Sequence, residues 1–281
     1  MSQGDPRSAS GGALSIRNVG KVYDPEGDHV VALQGIDLEI PAGQFCAVVG
    51  PSGCGKTTLL NMLAGFESPT SGSIAMDGKI LAGAGKRLSP GANRMVVFQQ
   101  GALFPWKTVL WNVTCGPLLQ GRLPRDRAEA DARELLARVG LEGIEHQYPE
   151  ELSVGMRRRV EIVRALLNDP KVLLLDEPYR ALDALTKSVM HECLLELYDL
   201  TKKTIFFVTH DLEEAIFLAD RVVAMTTRPG RIKKVIQIDL PRPRDYRIVS
   251  SAHFGRLKQE AVDAIHEEAR KAFEAGEREL A

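Results

Sequence analysis

The 281-residue sequence has few of the features that mark secreted, membrane-spanning or nucleic-acid-binding proteins. Its four cysteines (Cys46, Cys54, Cys115 and Cys193) form no CxxC pair, so the sequence predicts neither a disulfide framework nor a zinc site. No apolar run approaches the roughly 20 residues that a membrane-spanning helix requires. Lysine and arginine number 36 against 37 acidic residues, and the net charge of -1 gives no general attraction for a polyanion. We therefore expect no nucleic-acid partner.

The two ends of the sequence differ in composition from its centre. Residues 1–12 are rich in Ser, Gly, Asp and Pro and lack the apolar segment of a signal peptide, which predicts a disordered tail on a protein that is not exported. The chain is 44% hydrophobic and 26% charged, as is typical of a globular protein with a sizeable core. We expect one domain over residues 13–240. Residues 241–281 predict a Pro-Arg-Pro-Arg linker followed by an amphipathic helix at about residues 254–273.

The order of hydrophobic patterns predicts an α/β fold. Residues 14–40 and 72–81 alternate apolar and polar side chains, which indicates an N-terminal antiparallel β subdomain. Five apolar runs have the length of strands, at residues 45–49, 95–98, 172–175, 205–208 and 221–225. Helical patterns lie between them, at residues 56–64, 125–139, 156–167, 182–200 and 212–219. This alternation predicts a mostly parallel sheet with covering helices, and the mainly helical residues 100–167 predict an inserted helical subdomain.

A glycine-rich loop joins the first of these strands to the first helix and fits the pattern G-x-x-x-x-G-K-[ST]. Its residues are Gly50, Pro51, Ser52, Gly53, Cys54, Gly55, Lys56 and Thr57, followed by Thr58. Glycines let successive backbone N–H groups converge on phosphate oxygens, and the helix directs its positive end at the same anion. We expect Lys56 to neutralise the β- and γ-phosphates of ATP and the Thr57 hydroxyl to coordinate Mg²⁺. A chance match is the alternative, but the position between strand and helix favours a P-loop NTPase (RecA-like) core.

Two acids follow the apolar run at residues 172–175. Asp176 and Glu177 stand at the carboxyl end of a predicted strand, where the ligand of an open α/β sheet binds. We expect Asp176 to hold Mg²⁺, directly or through water, and Glu177 to act as the general base for the attacking water. The alternative for Glu177 is a solvated acid at a strand end, which the presence of a phosphate loop disfavours.

Two polar residues end other strands of the same predicted sheet. His210 follows residues 205–208, where a histidine can hydrogen-bond the γ-phosphate or the attacking water. Gln99 follows residues 95–98 and can contact Mg²⁺ and water through its side-chain amide. The alternatives are a structural histidine and an exposed polar loop residue, so both roles depend on the phosphate loop and the acid pair.

These residues together resemble the ATP-binding subunits of ABC transporters, over nearly the whole of residues 14–243. The resemblance assigns the family motifs as follows: Walker A to residues 50–57, Walker B to residues 173–177, the Q-loop to Gln99, the switch histidine to His210 and the D-loop to residues 181–183. Tyr23 matches the aromatic residue that stacks on adenine, with a core tyrosine as the alternative. Residues 50–61, 98–106, 209–215 and 228–231 most resemble the nitrate, sulfonate and taurine importer branch.

The signature motif departs from the family pattern. Family members work as dimers, in which the signature of one subunit, usually Leu-Ser-Gly-Gly-Gln, covers the ATP held by the other. Ser153 and Gly155 are kept here and are implied to contact ATP, whereas Val154 and Met156 replace a glycine and the glutamine. Valine disfavours a positive φ and adds bulk beside the γ-phosphate, so we expect secure ATP binding with slowed hydrolysis.

The resemblance implies an ATPase that energises import of a small solute, a nitrate-, sulfonate- or taurine-like anion, through a membrane permease. Such a subunit is peripheral to the cytoplasmic face of the inner (cell) membrane, pairs with a second ATP-binding subunit, preferably another copy, and serves a solute-binding protein indirectly. An ABC ATPase of DNA or ribosomes is disfavoured because the sequence shows neither a coiled-coil arm nor a second nucleotide domain. An ATP-binding regulatory or assembly subunit with weak hydrolysis stays open because of the altered signature.

Several other residues have two interpretations. Pro105 and Trp106 are an apolar pair that either docks on the permease or packs under the helical subdomain. Tyr179 and Arg180 stand where the branch usually has Phe and a small residue, and Arg180 could crowd or salt-bridge the dimer interface. The basic runs at residues 157–159 and 242–247 predict a solvated helix face and a linker rather than nucleic-acid contacts.

Overall fold

The computed structural model describes residues 11–23, 27, 29–83 and 89–274. A small antiparallel sheet is formed by β1 (Leu14–Tyr23), β2 (Val30–Ile40), β4 (Ser71–Met76) and β5 (Lys79–Ala82). The strand order is β2-β1-β4-β5, so β1 lies in the middle and pairs with both β2 and β4. One face of this sheet is buried because the apolar side chains alternate with polar ones, as the sequence pattern predicts.

A second sheet carries the site described below. Its strands are β3 (Phe45–Val49), β6 (Arg94–Val97), β7 (Val172–Asp176), β8 (Thr204–Val208), β9 (Arg221–Met225) and β10 (Ile232–Gln237). The order is β10-β9-β3-β8-β7-β6, with β10 antiparallel to β9 and the other neighbours parallel. The loops that follow β3, β7 and β8 therefore meet at one edge of the sheet, where ligands of α/β folds bind.

Seven α-helices lie in the described residues. They are α1 (Lys56–Ala64), α2 (Val109–Leu119), α3 (Arg125–Arg138), α4 (Val154–Leu167), α5 (Ala184–Thr201), α6 (Leu212–Leu218) and α7 (Ala252–Glu274). Side-chain caps set two of the starts that the hydrophobic pattern misplaced. The Ser153 hydroxyl accepts the Met156 N–H and starts α4 earlier, and Asp183 accepts the Thr186 N–H and starts α5 later.

The central strand β3 divides the hydrophobic core into two layers. Phe45, Ala47 and Val49 face a core shared with α4, α5, α6 and α7. Cys46 and Val48 face the opposite core, which α1 and the small sheet complete. Both faces of the strand are buried, which explains its continuous run of apolar residues. The α/β prediction is thus confirmed, and the strand that carries the phosphate loop is held rigidly from both sides.

Strand β10 is missing from the sequence prediction. Its sequence Ile-Lys-Lys-Val-Ile-Gln contains two lysines, and only Ile236 is fully buried. It is an edge strand, and an edge tolerates and even favours charged side chains because they prevent pairing with other chains. A pattern based on buried apolar runs does not detect such a strand.

Two segments predicted to be solvated are anchored instead. Arg244 is buried and its Nη1 donates to the carbonyls of Phe217 and Ala219 at 2.9 and 2.8 Å, at the carboxyl end of α6. Arg242 Nη2 donates to Asp220 Oδ1 at 2.7 Å. The linker interpretation of the basic run at residues 242–247 is therefore wrong, because cations near a helix C-terminus satisfy its last carbonyl groups.

The other basic run also turns inward. Arg158 is only 8% exposed, so the solvated-face interpretation of residues 157–159 is wrong at its middle position. At the N-terminus, the Gly12 N–H donates to the Lys171 carbonyl at 3.0 Å and its own carbonyl accepts from Thr204 Oγ1 at 2.8 Å. The predicted disordered tail therefore cannot include Gly11 and Gly12, which are buried; residues 1–10 lie outside the described chain.

No helix within the described part of the chain is both long enough and apolar enough to cross a bilayer.

Candidate functional site

The phosphate loop connects β3 to α1 in the conformation that its glycines permit. Gly53 and Gly55 have φ values of 73° and 95°, in the left-handed region that other residues avoid. Gly55 is also the N-cap of α1, where no side chain satisfies the helix N–H groups. Lys56 is buried, and its Nζ donates to the carbonyls of Gly50 and Pro51 at 2.8 and 3.0 Å. The loop thus encloses one ammonium group beside a set of uncapped amides, which suits a polyphosphate.

The back of the phosphate loop packs against the loop at residues 226–231. A side chain at Gly230 would collide with the Cys54 carbonyl, and one at Gly55 would come within 2.6 Å of Leu33 Cδ2. Arg228 Nε donates to the Gly53 carbonyl at 3.4 Å. Cys54 is buried among these groups, and this burial raises the pKa of its thiol. Sequence reasoning noticed residues 228–231 only as a branch resemblance and did not predict this contact.

Asp176 lies next to the start of α1. Its Oδ1 accepts from Thr57 Oγ1 at 3.2 Å, although the two residues are 119 positions apart in the chain. Burial raises the pKa of the Asp176 carboxyl, the Thr57 hydrogen bond lowers it in part, and the charge of Glu177 raises it further. The pair offers two hard oxygen donors in a partly buried position, and a bound cation would offset the desolvation of the carboxylate.

Glu177 and His210 contact each other across the ends of β7 and β8. His210 Nδ1 lies 3.3 Å from Glu177 Oε2, and the Glu177 N–H donates to the Val208 carbonyl at 2.9 Å. The hydrogen bond with His210 lowers the pKa of Glu177, and the same bond raises the pKa of His210. Arg180 Nη1 lies 3.5 Å from the same carboxylate oxygen, so Arg180 pairs within its own chain.

A buried network supports the His210 loop from behind. His191 Nε2 and Glu214 Oε1 are 2.9 Å apart, and the other Glu214 carboxylate oxygen accepts from the Thr209 hydroxyl. The Thr209 hydroxyl in turn accepts the Asp211 N–H at 3.0 Å. These bonds fix the residues on both sides of His210. Sequence reasoning did not identify this network, and only the buried positions of His191 and Glu214 reveal it.

Gln99 and Tyr23 lie at the border of the site. Gln99 is exposed and follows β6, which ends at Val97 and not at the predicted position 98. Tyr23 ends β1, and its hydroxyl donates to Glu67 Oε2; burial and this bond raise the pKa of Tyr23. Tyr23 is half-buried, so it is not a core tyrosine. Thr58, also half-buried, lies in the first turn of α1.

The signature residues lie at the start of α4, on the helical part of the chain and not at the edge that carries the phosphate loop. Ser153 is exposed and caps α4. Val154 is 47% exposed and begins the helix, and no positive φ occurs at this position, so the expected backbone strain is absent. A Cβ at Gly155 would lie 3.1 Å from Thr186 Cγ2. Val154 therefore differs from the usual glycine by the bulk of its side chain and not by backbone strain.

The exposure of Trp106 distinguishes between the two interpretations of the apolar pair Pro105 and Trp106. Its side chain is 69% exposed and Pro105 is exposed beside it, so the core-packing alternative is wrong. Phe104 contacts the rings of both Trp106 and Trp111, with centroids 5.9 and 5.6 Å apart. Phe66 and Phe98 stack nearby at 5.8 Å. The aromatic residues on both sides of Gln99 thus remain accessible to a partner.

Comparisons with known proteins agree with this geometry. The family model described as ABC transporter matches residues 33–180. The taurine import ATP-binding protein of Roseobacter denitrificans is 44% identical over 257 residues, covering 90% of this chain and 93% of that protein. The nitrate import ATP-binding protein of a Synechocystis species is 43% identical over 253 residues, covering 88% and 92%. This chain therefore belongs to the ABC transporter family of ATP-binding subunits.

A solved structure extends the comparison to the fold. The chain is similar, with a TM-score of 0.68 and 28% identity, to an ATP-binding cassette solved as a dimer in a post-hydrolysis state with ADP and Pi. The match covers 81% of this chain and all of that one. The protein is accordingly an ABC-type ATPase, and part of its sequence lies beyond the fold that it shares with that cassette.

Proposed function

We propose that this chain binds and hydrolyses MgATP at the edge formed by β3, β7 and β8, and that this reaction drives a membrane importer. The observation that carries the proposal is the contact between the phosphate loop and the acid pair through Thr57 and Asp176. In this proposal the triphosphate binds to the amides of residues 50–58, Lys56 neutralises its charge, and the Tyr23 ring stacks on the adenine.

Thr57, Asp176 and Gln99 are the residues we propose for Mg²⁺. The hydroxyl and carboxylate oxygens at 3.2 Å fit a hard cation, and the buried carboxylate would gain most from one. When bound, the ion would neutralise charge on the phosphate oxygens during transfer. Gln99 is exposed, so its contribution requires its loop to approach the nucleotide.

Glu177 and His210 are the residues we propose for the chemical step. Glu177 takes the proton of the attacking water, and the lowered pKa keeps its carboxylate ionised and ready to accept it. His210 orients this carboxylate through the 3.3 Å contact and can donate to the γ-phosphate when its own pKa is raised. The network of His191, Glu214 and Thr209 holds His210 in place.

The second half of each ATP site is proposed to come from another subunit. Ser153 and Gly155 lie at the start of α4, and the exposed Ser153 is accessible to the ATP of a partner. A second copy, or a related subunit, would close around two ATP molecules, as the dimeric cassette similar to this chain suggests. Because Arg180 pairs with Glu177 of its own chain, its charge is compatible with such an interface.

Two observations support the transport role: the similarity to importer subunits, and the exposed aromatic residues on both sides of Gln99. A taurine importer subunit and a nitrate importer subunit are both more than 40% identical to this chain, so we propose import of a small anion of that kind. Trp106 and its neighbours would contact a permease, which places the chain on the cytoplasmic face of the inner membrane as a peripheral subunit. A solute-binding protein would deliver the anion to the permease without touching this chain.

The test of the catalytic proposal is phosphate release by the purified chain, with and without its membrane partner. We expect Glu177→Gln to lower turnover by about 10²- to 10⁴-fold, the usual contribution of a general base, and to trap an ATP-bound dimer visible by size-exclusion chromatography. Glu213→Gln, which removes an acid that accepts from Lys258 on α7, is the matched control and should keep full turnover. Unchanged turnover in Glu177→Gln would reject Glu177 as the base. ATP binding without turnover even with the membrane partner would favour the regulatory or assembly role.

The test of the docking proposal is capture of the membrane subunit from detergent-solubilised membranes of the source organism. Trp106→Glu should abolish capture and leave ATP affinity unchanged. Leu119→Glu adds the same charge at an exposed position that is 82% accessible at the far end of α2, and it should capture normally. Loss of ATP binding in Trp106→Glu would refute a pure docking role.

A further inference from the structure

Helix α4 presents a row of charged side chains to the segment that contains Gln99. Arg158, Glu161 and Arg164 are spaced three residues apart, which places them along one face of the helix. Arg158 and Glu161 are 8% and 3% exposed. Charges are rarely buried unless they are paired and hydrogen-bonded, so this row requires a structural or functional reason.

All three side chains bind the main chain of residues 98–102. Arg158 Nη1 donates to the Phe98 carbonyl at 2.6 Å, and Nη2 donates to the Gln99 carbonyl at 2.8 Å. Glu161 Oε1 accepts the Ala102 N–H at 2.7 Å. Arg164 Nη1 donates to the Ala102 carbonyl at 2.8 Å.

Arg158 and Glu161 also bind each other, with Arg158 Nη1 and Glu161 Oε2 at 2.6 Å. The pair therefore forms a closed set with residues 98–102, which we call the α4 clamp. Hydrogen bonds with a charged partner are roughly twice as strong as neutral ones, and removal of one member of a buried pair leaves the other uncompensated. The hydrogen bonds of the clamp to residues 98–102 are made with backbone atoms, so they fix the path of the segment without using the Gln99 side chain.

The α4 clamp is connected to the signature residue Ser153 and to the exposed aromatic residues Phe104 and Trp106. Ser153 caps the same continuous helix at its N-terminus. Beyond Ala102, the buried Asn112 of α2 accepts the Phe104 N–H at 2.7 Å and donates to the Phe104 carbonyl at 3.1 Å. Since α2 packs on α4, the chain from Gln99 to Trp106 is bonded to the two helices at both ends.

We infer that Arg158 and Glu161 are positioning residues that join the Gln99 segment to the signature helix, so that a displacement of Gln99 on ATP binding moves Ser153 and Trp106 together. This inference rests on the proposed function, in which Gln99 approaches the nucleotide. A purely structural role for the clamp would affect stability alone. A positioning role would also break the link between ATP binding and the response at Trp106, while ATP affinity stays almost unchanged.

The experiment uses the full chain with Trp111→Phe, which leaves Trp106 as the single tryptophan. Titration with MgATP gives affinity and the change in Trp106 emission, and phosphate release gives kcat and KM. We expect Arg158→Met and Glu161→Gln to keep the dissociation constant for ATP within about twofold, to lose most of the emission change, and to lower kcat about 10-fold or more.

The matched control is Arg159→Met, on the same helix. Arg159 Nη1 donates to the Val139 carbonyl at 2.7 Å, so its loss weakens the contact of α4 with the end of α3 and spares residues 98–102. We expect a similar drop in melting temperature with a normal emission change and normal kcat. If Arg158→Met does not fold, Arg158→Lys, which can hold only one carbonyl well, should fold and show an intermediate response.

Three results would overturn the inference in different ways. Clamp variants with an emission change and kcat equal to those of Arg159→Met would show that the clamp is structural, and would leave the proposed function standing. A parent chain that binds MgATP with no emission change would show that no signal reaches Trp106. A parent chain that neither binds nor hydrolyses MgATP would refute the proposed function and the inference with it.

Discussion

The phosphate loop and the signature segment both lead into a helix, yet the two helix starts differ in how their N–H groups are satisfied. At α1 the N-cap is Gly55, which has no side chain, and no cap hydrogen bond is formed. At α4 the N-cap is Ser153, whose hydroxyl already accepts the Met156 N–H. The first helix start therefore retains unsatisfied donors for an anion, whereas the second is complete in the single chain.

The difference extends to the surroundings of each helix start. The phosphate loop is held by Lys56, by the Arg228 contact and by the Thr57–Asp176 contact, all within one chain. At the signature, Ser153 and Val154 are exposed and Gly155 is buried, and the helix that follows carries neither an acid of the Asp176–Glu177 pair nor His210. This contrast suggests that ATP affinity is a property of one chain, and that the rate of hydrolysis depends on a second. The experiments on Lys56, on His210 and on the signature test this comparison.

Among these experiments, the largest effect should come from Lys56→Ala. A hydrogen bond with a charged group contributes about 1.5–3 kcal/mol, so we expect MgATP to bind about 10- to 100-fold more weakly, and turnover to fall at least as much. Equilibrium binding of a fluorescent ATP analogue measures this. Lys79→Ala, at an exposed position on β5, is the control and should bind normally. Equal affinity of the Lys56→Ala and parent chains would end the proposal that this loop holds the phosphates.

His210→Ala should separate binding from hydrolysis. Loss of the 3.3 Å contact with Glu177 removes the group that orients this carboxylate, so we expect kcat to fall about 10-fold, equivalent to about 1.4 kcal/mol, with ATP affinity preserved. Phosphate release under saturating ATP measures the change. His146→Ala, at an exposed position between α3 and α4, should behave like the parent chain. A His210→Ala chain with parent turnover would exclude His210 from the chemical step.

The signature should affect the rate and not the affinity. The double change Val154→Gly and Met156→Gln restores the usual family residues, and we expect kcat to rise by about two- to fivefold, or about 0.5–1 kcal/mol, because bulk beside the partner's ATP is removed. Affinity of the single chain for MgATP should not change. An altered affinity at concentrations where the chain is monomeric would contradict the separation of the two half-sites.

The smallest effect should come from Tyr179→Phe, close to Glu177 but directed into the core. The Tyr179 hydroxyl is buried and finds no hydrogen-bond partner among the described residues. Removal of an unsatisfied buried hydroxyl should stabilise the chain by up to about 1 kcal/mol, or raise the melting temperature by about 2–4 °C. Tyr198→Phe is the opposite control, because its hydroxyl donates to the Gly43 carbonyl at 2.6 Å, and its loss should lower the melting temperature. A destabilised Tyr179→Phe chain would show that its hydroxyl is satisfied.

Short stretches of sequence were enough to predict the fold class, which the structure confirms, and the site residues that it brings together. The loop around Lys56, the acids after β7 and the histidine after β8 each follow a strand whose apolar residues are visible in the sequence. Parallel strands end at the same edge, so residues far apart in the chain come together without any further information. The start of α4 was misplaced by two residues because a serine cap, and not the apolar pattern, fixes it.

Three of the errors concern charged residues whose partners are distant in the sequence. Arg158, Arg244 and Arg242 looked like solvated or linker residues because composition alone assigns cations to the surface. In the fold each binds backbone carbonyls or an acid that another element presents. The sequence around an arginine does not record these partners, since they lie between 22 and 60 residues away.

What the sequence by itself determined is the fold class, the family and the local chemistry of the phosphate loop, because backbone conformation at glycines and burial of apolar runs are properties of neighbouring residues. The tertiary structure alone decided that Thr57 contacts Asp176, that His191 and Glu214 support His210, and that Arg158 and Glu161 bind the Gln99 segment. Each of these contacts joins residues on different elements. Their energy depends on burial and geometry, which exist only after the elements have packed.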